Sequence, residues 1–291
     1  MKDTFSSLNE DNVSFKGSAK IEIREYFNLA IPMLLTQLAA HATGVIAALM
    51  TGNYSTLDQA AVAIGNMLFW PAYFGIAGVL FIVTSFVAQF YGAKKIELIG
   101  PLVKQSYWLS IPMIILFVIY ILNADTLLDI LGTPNEVKNI TQQYLFGLMI
   151  GAPAMFLFQP LRSMCEGMKR PLPITYINIV MVVINAFVNY VLIFGKFGFP
   201  ELGGKGCGIA FIVSSWSSLL IILAYIYFSD YFKRIKFFES FEAPDFAKIF
   251  EIIKLGLPIG GTLFIEIAVF SGAGLILSSL GENIISSHAI A

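Results

Sequence analysis

Seven stretches of this chain stay apolar over the length that an α-helix needs to cross a bilayer. They run at roughly 26–50, 60–90, 102–122, 140–161, 172–195, 207–228 and 249–279. Each holds about 20 residues or more, and about 20 helical residues span the roughly 30 Å of hydrocarbon in a membrane. Inside lipid the backbone has no water to bond, so a spanning segment of this kind must close its hydrogen bonds within itself, as a helix. Hydrophobic residues make up 57% of the chain and charged residues 13%. A soluble domain built from such stretches would leave too much apolar surface in water. The expected fold is therefore all-α: a polytopic membrane protein with a six-helix lobe followed by the first helix of a second lobe.

Charge sets the expected orientation. With the N-terminus in the cytoplasm, only Lys138, Lys196 and Lys205 of the 18 Lys and Arg residues fall on the outer side. Positive loops are retained on the cytoplasmic side, so this asymmetry predicts an N-in topology. No basic face stands outside the membrane, which argues against nucleic-acid binding. Residues 1–25 are polar and charged, and the first apolar stretch has full spanning length. That pattern predicts a retained first helix, not a cleaved signal peptide. Cys165 and Cys207 fall near opposite ends of different helices and are expected to stay unpaired. Two His and two Cys without ligand spacing give no expectation of a metal site.

The loops divide the chain. Asp125–Leu131 forms an amphipathic piece closed by Gly132-Thr-Pro134, expected at the outer interface. The longest inner loop, 229–246, mixes charges with aromatics and contains Pro244, and it reads as a linker. The expected units are a cytoplasmic segment at 1–25, a first lobe at 26–228, the linker at 229–246, and the incomplete start of a second lobe at 247–291. An internal repeat supports this division. Leu29-Ala-Ile-Pro32 opens the first span and Leu255-Gly-Leu-Pro258 opens the seventh, and the same offset places Ala63-Ile64 on Ala289-Ile290. An even number of spans between the copies gives parallel repeats related by an axis along the membrane normal. On this reading the chain is a truncated product.

Few residues in the spans can carry chemistry. Glu266 is the one acidic residue expected deep in a span, eight residues past Pro258. An intramembrane carboxylate is costly and marks a functional site by default, carrying a proton or attracting a cation. A protonated Glu bonded to a neighbouring helix is the structural alternative. Asn185 and Asn189 are four apart and share one helix face. Their amide oxygens can coordinate a cation or bridge helices. Aromatic residues Trp70, Tyr73, Phe74 and Phe158 could line a cavity for flat organic cations, or simply pack. Prolines such as Pro32, Pro71, Pro112, Pro153, Pro160 and Pro258 free carbonyls within spans. The chain has no phosphate-binding glycine loop and no serine- or zinc-based catalytic motif, so an ATP-driven pump or an enzyme is not expected.

Leu161-Arg-Ser-Met-Cys-Glu-Gly-Met-Lys-Arg170 leads to Ile184-Asn-Ala-Phe-Val-Asn-Tyr190. A glycine-rich run follows, Phe194-Gly-Lys-Phe-Gly-Phe-Pro-Glu-Leu-Gly-Gly-Lys-Gly-Cys-Gly-Ile-Ala210. Together these resemble the multidrug and toxic compound extrusion (MATE) family, in its NorM-like bacterial branch. Leu255-Gly-Leu-Pro258 with Phe264-Ile-Glu266 looks like the start of that family's second lobe. The resemblance implies a twelve-helix, two-lobe exporter in the bacterial inner (cytoplasmic) membrane. It would exchange sodium or protons for small organic cations and need no cofactor beyond the coupling ion. Glu266 would match the second-lobe carboxylate, and Asn185 and Asn189 the polar pair of the first-lobe site. One departure stands out. Where this branch usually carries an aspartate in the first helix, the sequence has Gly44-Val-Ile-Ala-Ala48, with Ala47 at the acidic position. A lipid-linked oligosaccharide flippase is the alternative transporter, disfavoured because no interior Lys or Arg is expected. A seven-helix receptor would require the opposite orientation. An inactive fragment is the remaining alternative.

The topology has a direct check. A membrane-impermeant thiol reagent applied outside is expected to label Asn53→Cys and Gly198→Cys, and to leave Lys95→Cys and Lys169→Cys unlabelled. The reverse pattern would reject the N-in orientation.

Overall fold

The computed structural model describes residues 15–235, 237 and 242–278, and every regular element among them is helical. In chain order these are α1 (Phe15–Tyr54), α2 (Thr56–Ala77), α3 (Ile82–Gly92), α4 (Ile99–Leu122), α5 (Ala124–Ile130), α6 (Asn135–Gly167), α7 (Leu172–Ile193), α8 (Gly204–Phe228), α9 (Asp230–Lys233) and α10 (Phe246–Ser278). A 3₁₀ turn at Gly78–Phe81 joins α2 to α3, and another at Ile96–Leu98 leads into α4. Among the described residues seven segments are long and apolar enough to cross a membrane. They coincide with the seven apolar stretches, but their ends differ. The second begins at Thr56, because Ser55 caps α2 by accepting from the Asp58 N–H at 3.4 Å. The third takes in the short amphipathic α5, which Lys138–Asp129 (2.5 Å) and a Gln142–Asp125 hydrogen bond tie to α6. The Ala289-Ile290 end of the repeat lies outside the described residues.

Packing between helices relies on absent side chains. Apolar burial does not drive helices together in lipid, so close contact and hydrogen bonding must do so. Helices α6 and α8 meet at Gly147 and Gly208, where a β-carbon on Gly147 would lie 2.5 Å from the Gly208 Cα. One turn along, a β-carbon on Gly151 would meet the Phe211 ring at 2.5 Å. Helix α2 runs through the middle of the lobe and buries Ala60, Ala61, Ala63, Ala72 and Ala77 along with Phe69 and Tyr73. Phe69 packs edge-on against Phe117 of α4 (5.2 Å between centroids) and Phe211 of α8 (5.5 Å), joining three helices at one ring.

Two helices are closed by turns that carry lysine, and both stop by the same device. After α3, Lys94 takes a left-handed φ of 59°, and the N–H groups of Lys94 and Lys95 return to the carbonyls of Tyr91 (3.1 Å) and Phe90 (2.9 Å). After α6, Lys169 takes φ 59°, and the N–H groups of Lys169 and Arg170 return to Glu166 (3.0 Å) and Cys165 (2.9 Å). Both turns satisfy carbonyls that a helix end would otherwise leave open. The end of α6 packs against α3 about two helical turns before Lys94, since a β-carbon on Gly167 would touch Val87 at 2.7 Å.

The expected linker is not a free connection. Its first part forms α9, with Phe232 buried, and residues 242–245 lie along α4 before α10 begins. Helix α10 then crosses α2 and the 3₁₀ turn through Gly256 and Gly260. A β-carbon on Gly256 would overlap the Val79 carbonyl, and one on Gly260 would lie 2.5 Å from the Gly75 carbonyl. Gly256→Leu is therefore expected to destabilise by about 1–3 kcal/mol through overpacking, read as a lower thermal unfolding midpoint in detergent. Gly261→Ala is the control: nothing lies within 4 Å of a β-carbon there, so the midpoint should not fall.

Candidate functional site

The polar pair of α7 is buried against α8. Asn185 and Asn189 are 3% and 1% exposed. The Asn189 Nδ2 donates to Asn185 Oδ1 (2.8 Å), and Asn185 Nδ2 donates to Ser214 Oγ of α8 (3.1 Å). Ser214 Oγ in turn donates to the Ala210 carbonyl (2.7 Å). This chain of bonds uses one N–H of each amide and leaves one acceptor over. Asn189 Oδ1 is buried and has no hydrogen-bond partner among the described residues. An unpaired buried polar atom costs about 1–3 kcal/mol, so a group that supplies positive charge or a donor would be held there at a gain.

Helix α1 covers α7 from the other side. Thr175 Oγ1 donates to the Pro32 carbonyl (3.0 Å) and lies 3.1 Å from Thr36 Oγ1, so the two helices are hydrogen-bonded beside the proline. Farther along α1, Ala47 is half-buried, and its carbonyl accepts from Thr51 Oγ1 (2.8 Å). A methyl group stands at this position, so α1 brings no carboxylate to the asparagine pair from it.

The expected aromatic cavity residues do not behave alike. Tyr73 is 4% exposed and packs between Phe69 (5.9 Å) and Phe156 (5.2 Å), inside the lobe. Trp70, Phe74 and Phe158 are half-buried. Trp70 and Phe74 lie on α2, whose Gly75 meets the Phe264 side chain of α10. This face of the lobe, unlike Tyr73, leaves aromatic surface uncovered.

Glu266 lies on α10 and is exposed. The side of α10 that packs on the lobe is made by Ile252, Gly256 and Gly260, with Ile265, Val269 and Phe270 exposed near Glu266. Helix α7 packs mainly on α8 and α1, while α10 packs mainly on α2 and its 3₁₀ turn. The asparagine pair and Glu266 are thus not brought together by the described residues.

Two charged side chains stand near span ends and are held by the fold. Asp58, in the first turn of α2, is 8% exposed, and its Oδ1 accepts from the Gly204 N–H at 2.6 Å, capping α8 from across the fold. The Ser55-Thr-Leu-Asp58 spacing is a capping signature that could have moved Asp58 from a loop onto a helix. Its second partner needs tertiary structure, because Gly204 is far away in sequence. A basic side chain is also partly enclosed. Arg162 of α6 has a 27% exposed side chain, and its Nε lies 2.7 Å from Glu166 Oε1. That pairing neutralises the guanidinium within one helix turn.

The MatE family profile matches residues 32–191. The chain is 35% identical over 270 residues to the "Probable multidrug resistance protein NorM" of Shewanella oneidensis, covering 93% of this chain and 59% of that protein. It is 35% identical over 275 residues to the "Multidrug resistance protein MdtK" of Klebsiella pneumoniae, covering 93% of this chain and 60% of that protein. The chain thus spans about 60% of the length of the curated relatives it matches. Its fold is similar to the eukaryotic MATE transporter AtDTX14, with a TM-score of 0.73 at 21% identity over 88% of this chain and 56% of that one. An inward-facing multidrug resistance MATE family transporter gives a TM-score of 0.73 at 19% identity, over 91% of this chain and 60% of that one.

Asp58→Ala would leave the Gly204 N–H buried without its acceptor. The expected loss is about 1–3 kcal/mol in thermal unfolding. The start of α8 should loosen with it, so alkylation of the buried Cys207 thiol should speed up. An unchanged midpoint together with an unchanged Cys207 rate would reject the capping role.

Proposed function

Because this chain belongs to the MatE family, we propose that it supplies the first lobe and the opening helix of a secondary transporter that exports small organic cations in exchange for sodium or protons. The membrane is the bacterial cytoplasmic membrane, with the N-terminus inside. The relatives named as multidrug resistance proteins support the export of organic compounds. The coupling half of the reading rests on one observation, the buried, unpartnered Oδ1 of Asn189. An amide oxygen in that state attracts a cation without titrating, and the two amide oxygens with the Ser214 hydroxyl nearby offer an all-neutral oxygen set. With Ala47 in place of an acidic residue, such a site holds its ion weakly, because no net charge offsets the cost of stripping water from it.

Glu266 supplies the charged partner in this reading. A carboxylate exposed on a spanning helix is costly in lipid. A second lobe, as long as the relatives are, would enclose it and turn that cost into ion binding. Trp70, Phe74 and Phe158 then stand at the cavity side of the first lobe, offering aromatic faces to flat cations. Tyr73 belongs to the packing behind them. The flippase alternative would draw on free basic side chains lining the cavity, and the one partly enclosed arginine is already paired with Glu166.

The test is ethidium efflux from vesicles under an imposed sodium or proton gradient, using a two-lobe protein that contains these residues. Glu266→Gln should abolish gradient-driven efflux while the membrane level stays unchanged. In the same protein, Ala47→Asp should strengthen the dependence of thermal stability on sodium or pH, and Asn189→Leu should remove it. Efflux by Glu266→Gln at the parent rate would make Glu266 structural. Ion dependence unaffected by either first-lobe change would remove that site from coupling. The 291 residues alone are expected to insert without exporting. Gradient-dependent efflux from them would mean that a second copy completes the cavity.

A further inference from the structure

The segment between α9 and α10 is read by side chains of α4. Gln105 is 1% exposed and uses both ends of its amide on this segment's main chain. Its Nε2 donates to the Ala243 carbonyl (3.0 Å), and its Oε1 accepts from the Asp245 N–H (2.7 Å). Trp108, three residues on and so on the same face of α4, donates Nε1–H to the Glu242 carbonyl (2.9 Å). Lys104 Nζ lies 3.4 Å from Glu242 Oε1. A donor and an acceptor set against alternate backbone positions fix register as a neighbouring strand would, since a one-residue slip would set the Oε1 against Pro244, which has no N–H to give. Pro244, between the two residues that Gln105 holds, has no N–H to compete and a fixed φ. The segment then passes straight into a helix cap, where Asp245 Oδ1 accepts from the N–H groups of Ala247 (3.1 Å) and Lys248 (3.4 Å).

We propose that Gln105 and Trp108 are positioning residues for the opening helix of the second lobe. By holding residues 242–245 on α4 they make the first turn of α10 part of the first lobe. They also set the register in which Gly256 and Gly260 meet α2. The consequence for transport rests on the two-lobe reading above: movement between lobes is taken up beyond this clamp, and not in the segment that joins them in sequence.

Cross-linking of the 291-residue chain in its membrane tests the clamp without transport. Cys165 and Cys207 are replaced by alanine, and Gly75→Cys is combined with Phe264→Cys. A β-carbon on Gly75 would lie 3.1 Å from the Phe264 Cβ, close to the roughly 3.5–4.5 Å of a disulfide, and removing the phenyl ring gives the new side chain room. The control pair is Leu192→Cys with Gly206→Cys, where the corresponding separation is 3.0 Å within the lobe. Gln105→Met, which keeps the shape and loses both hydrogen bonds, should slow oxidation of the 75–264 pair about fivefold or more. Trp108→Phe, which keeps a ring and loses its N–H, should slow it in the same direction and leaves the experiment readable if Gln105→Met folds poorly. The control pair should oxidise at the parent rate in both. Parent-rate cross-linking at 75–264 in both variants would overturn the proposal. So would equal slowing of the two pairs, since the side chains would then act on the lobe as a whole. A Gln105-dependent cross-link in a protein that fails the efflux tests keeps the clamp and discards the transport reading. A Gln105-independent cross-link in a protein that passes them does the reverse.

Discussion

Helices in this bundle touch where they have no side chains, and the rest of the structure depends on that contact. Water drives a soluble core together, but lipid tails are as apolar as leucine and provide no such drive. What remains is dispersion, which is short-ranged. Gly147 against Gly208, and Gly256 and Gly260 against Gly75 and Val79, bring backbones close enough to collect it. The first crossing holds α6 to α8 and so places Ser214 against the asparagines of α7. The second seats α10 on α2, which decides that Glu266 points away from the first lobe.

Polar side chains in the spans follow a common rule, and the asparagine pair of α7 departs from it. Ser106, Ser110, Thr141, Ser215 and Ser218 each return a hydroxyl to a carbonyl one turn back, so burial costs them little. Asn185 and Asn189 cannot be satisfied in this way alone. They bond to each other and to Ser214, and an oxygen is left. What sets the pair apart is an oxygen that the described fold leaves unsatisfied, not a cluster of charge.

The fold was readable in the sequence because spanning length and hydropathy are properties of single segments. The seven helices, the unpaired cysteines and the shared face of Asn185 and Asn189 follow from spacing alone. The glycine-rich run 194–210 was readable as a family signature, but its use was not. Gly195 and Gly203 take left-handed backbone at the turn into α8, and Gly206 and Gly208 admit neighbouring helices. Asp58 and Gln105 were missed for one reason: their partners lie more than a hundred residues away, at Gly204 and at residues 243–245. Tyr73 and Trp70 could not be separated by type, because which of two neighbouring aromatics faces the core depends on α4 and α6 being in place.

The paired turns after α3 and α6 put lysine where the backbone prefers glycine. A left-handed residue with a β-carbon costs about 1 kcal/mol or more, and both Lys94 and Lys169 accept it. Glycine would relieve the strain at each turn, yet it would strip a cation from one end of the bundle. On the N-in orientation proposed above, both lysines lie on the side where positive charge retains a loop, so that orientation would give the charge a use while the hairpins are sorted across the bilayer. On that orientation, arginine at either turn would keep the charge and the strain together, whereas glycine would lose both.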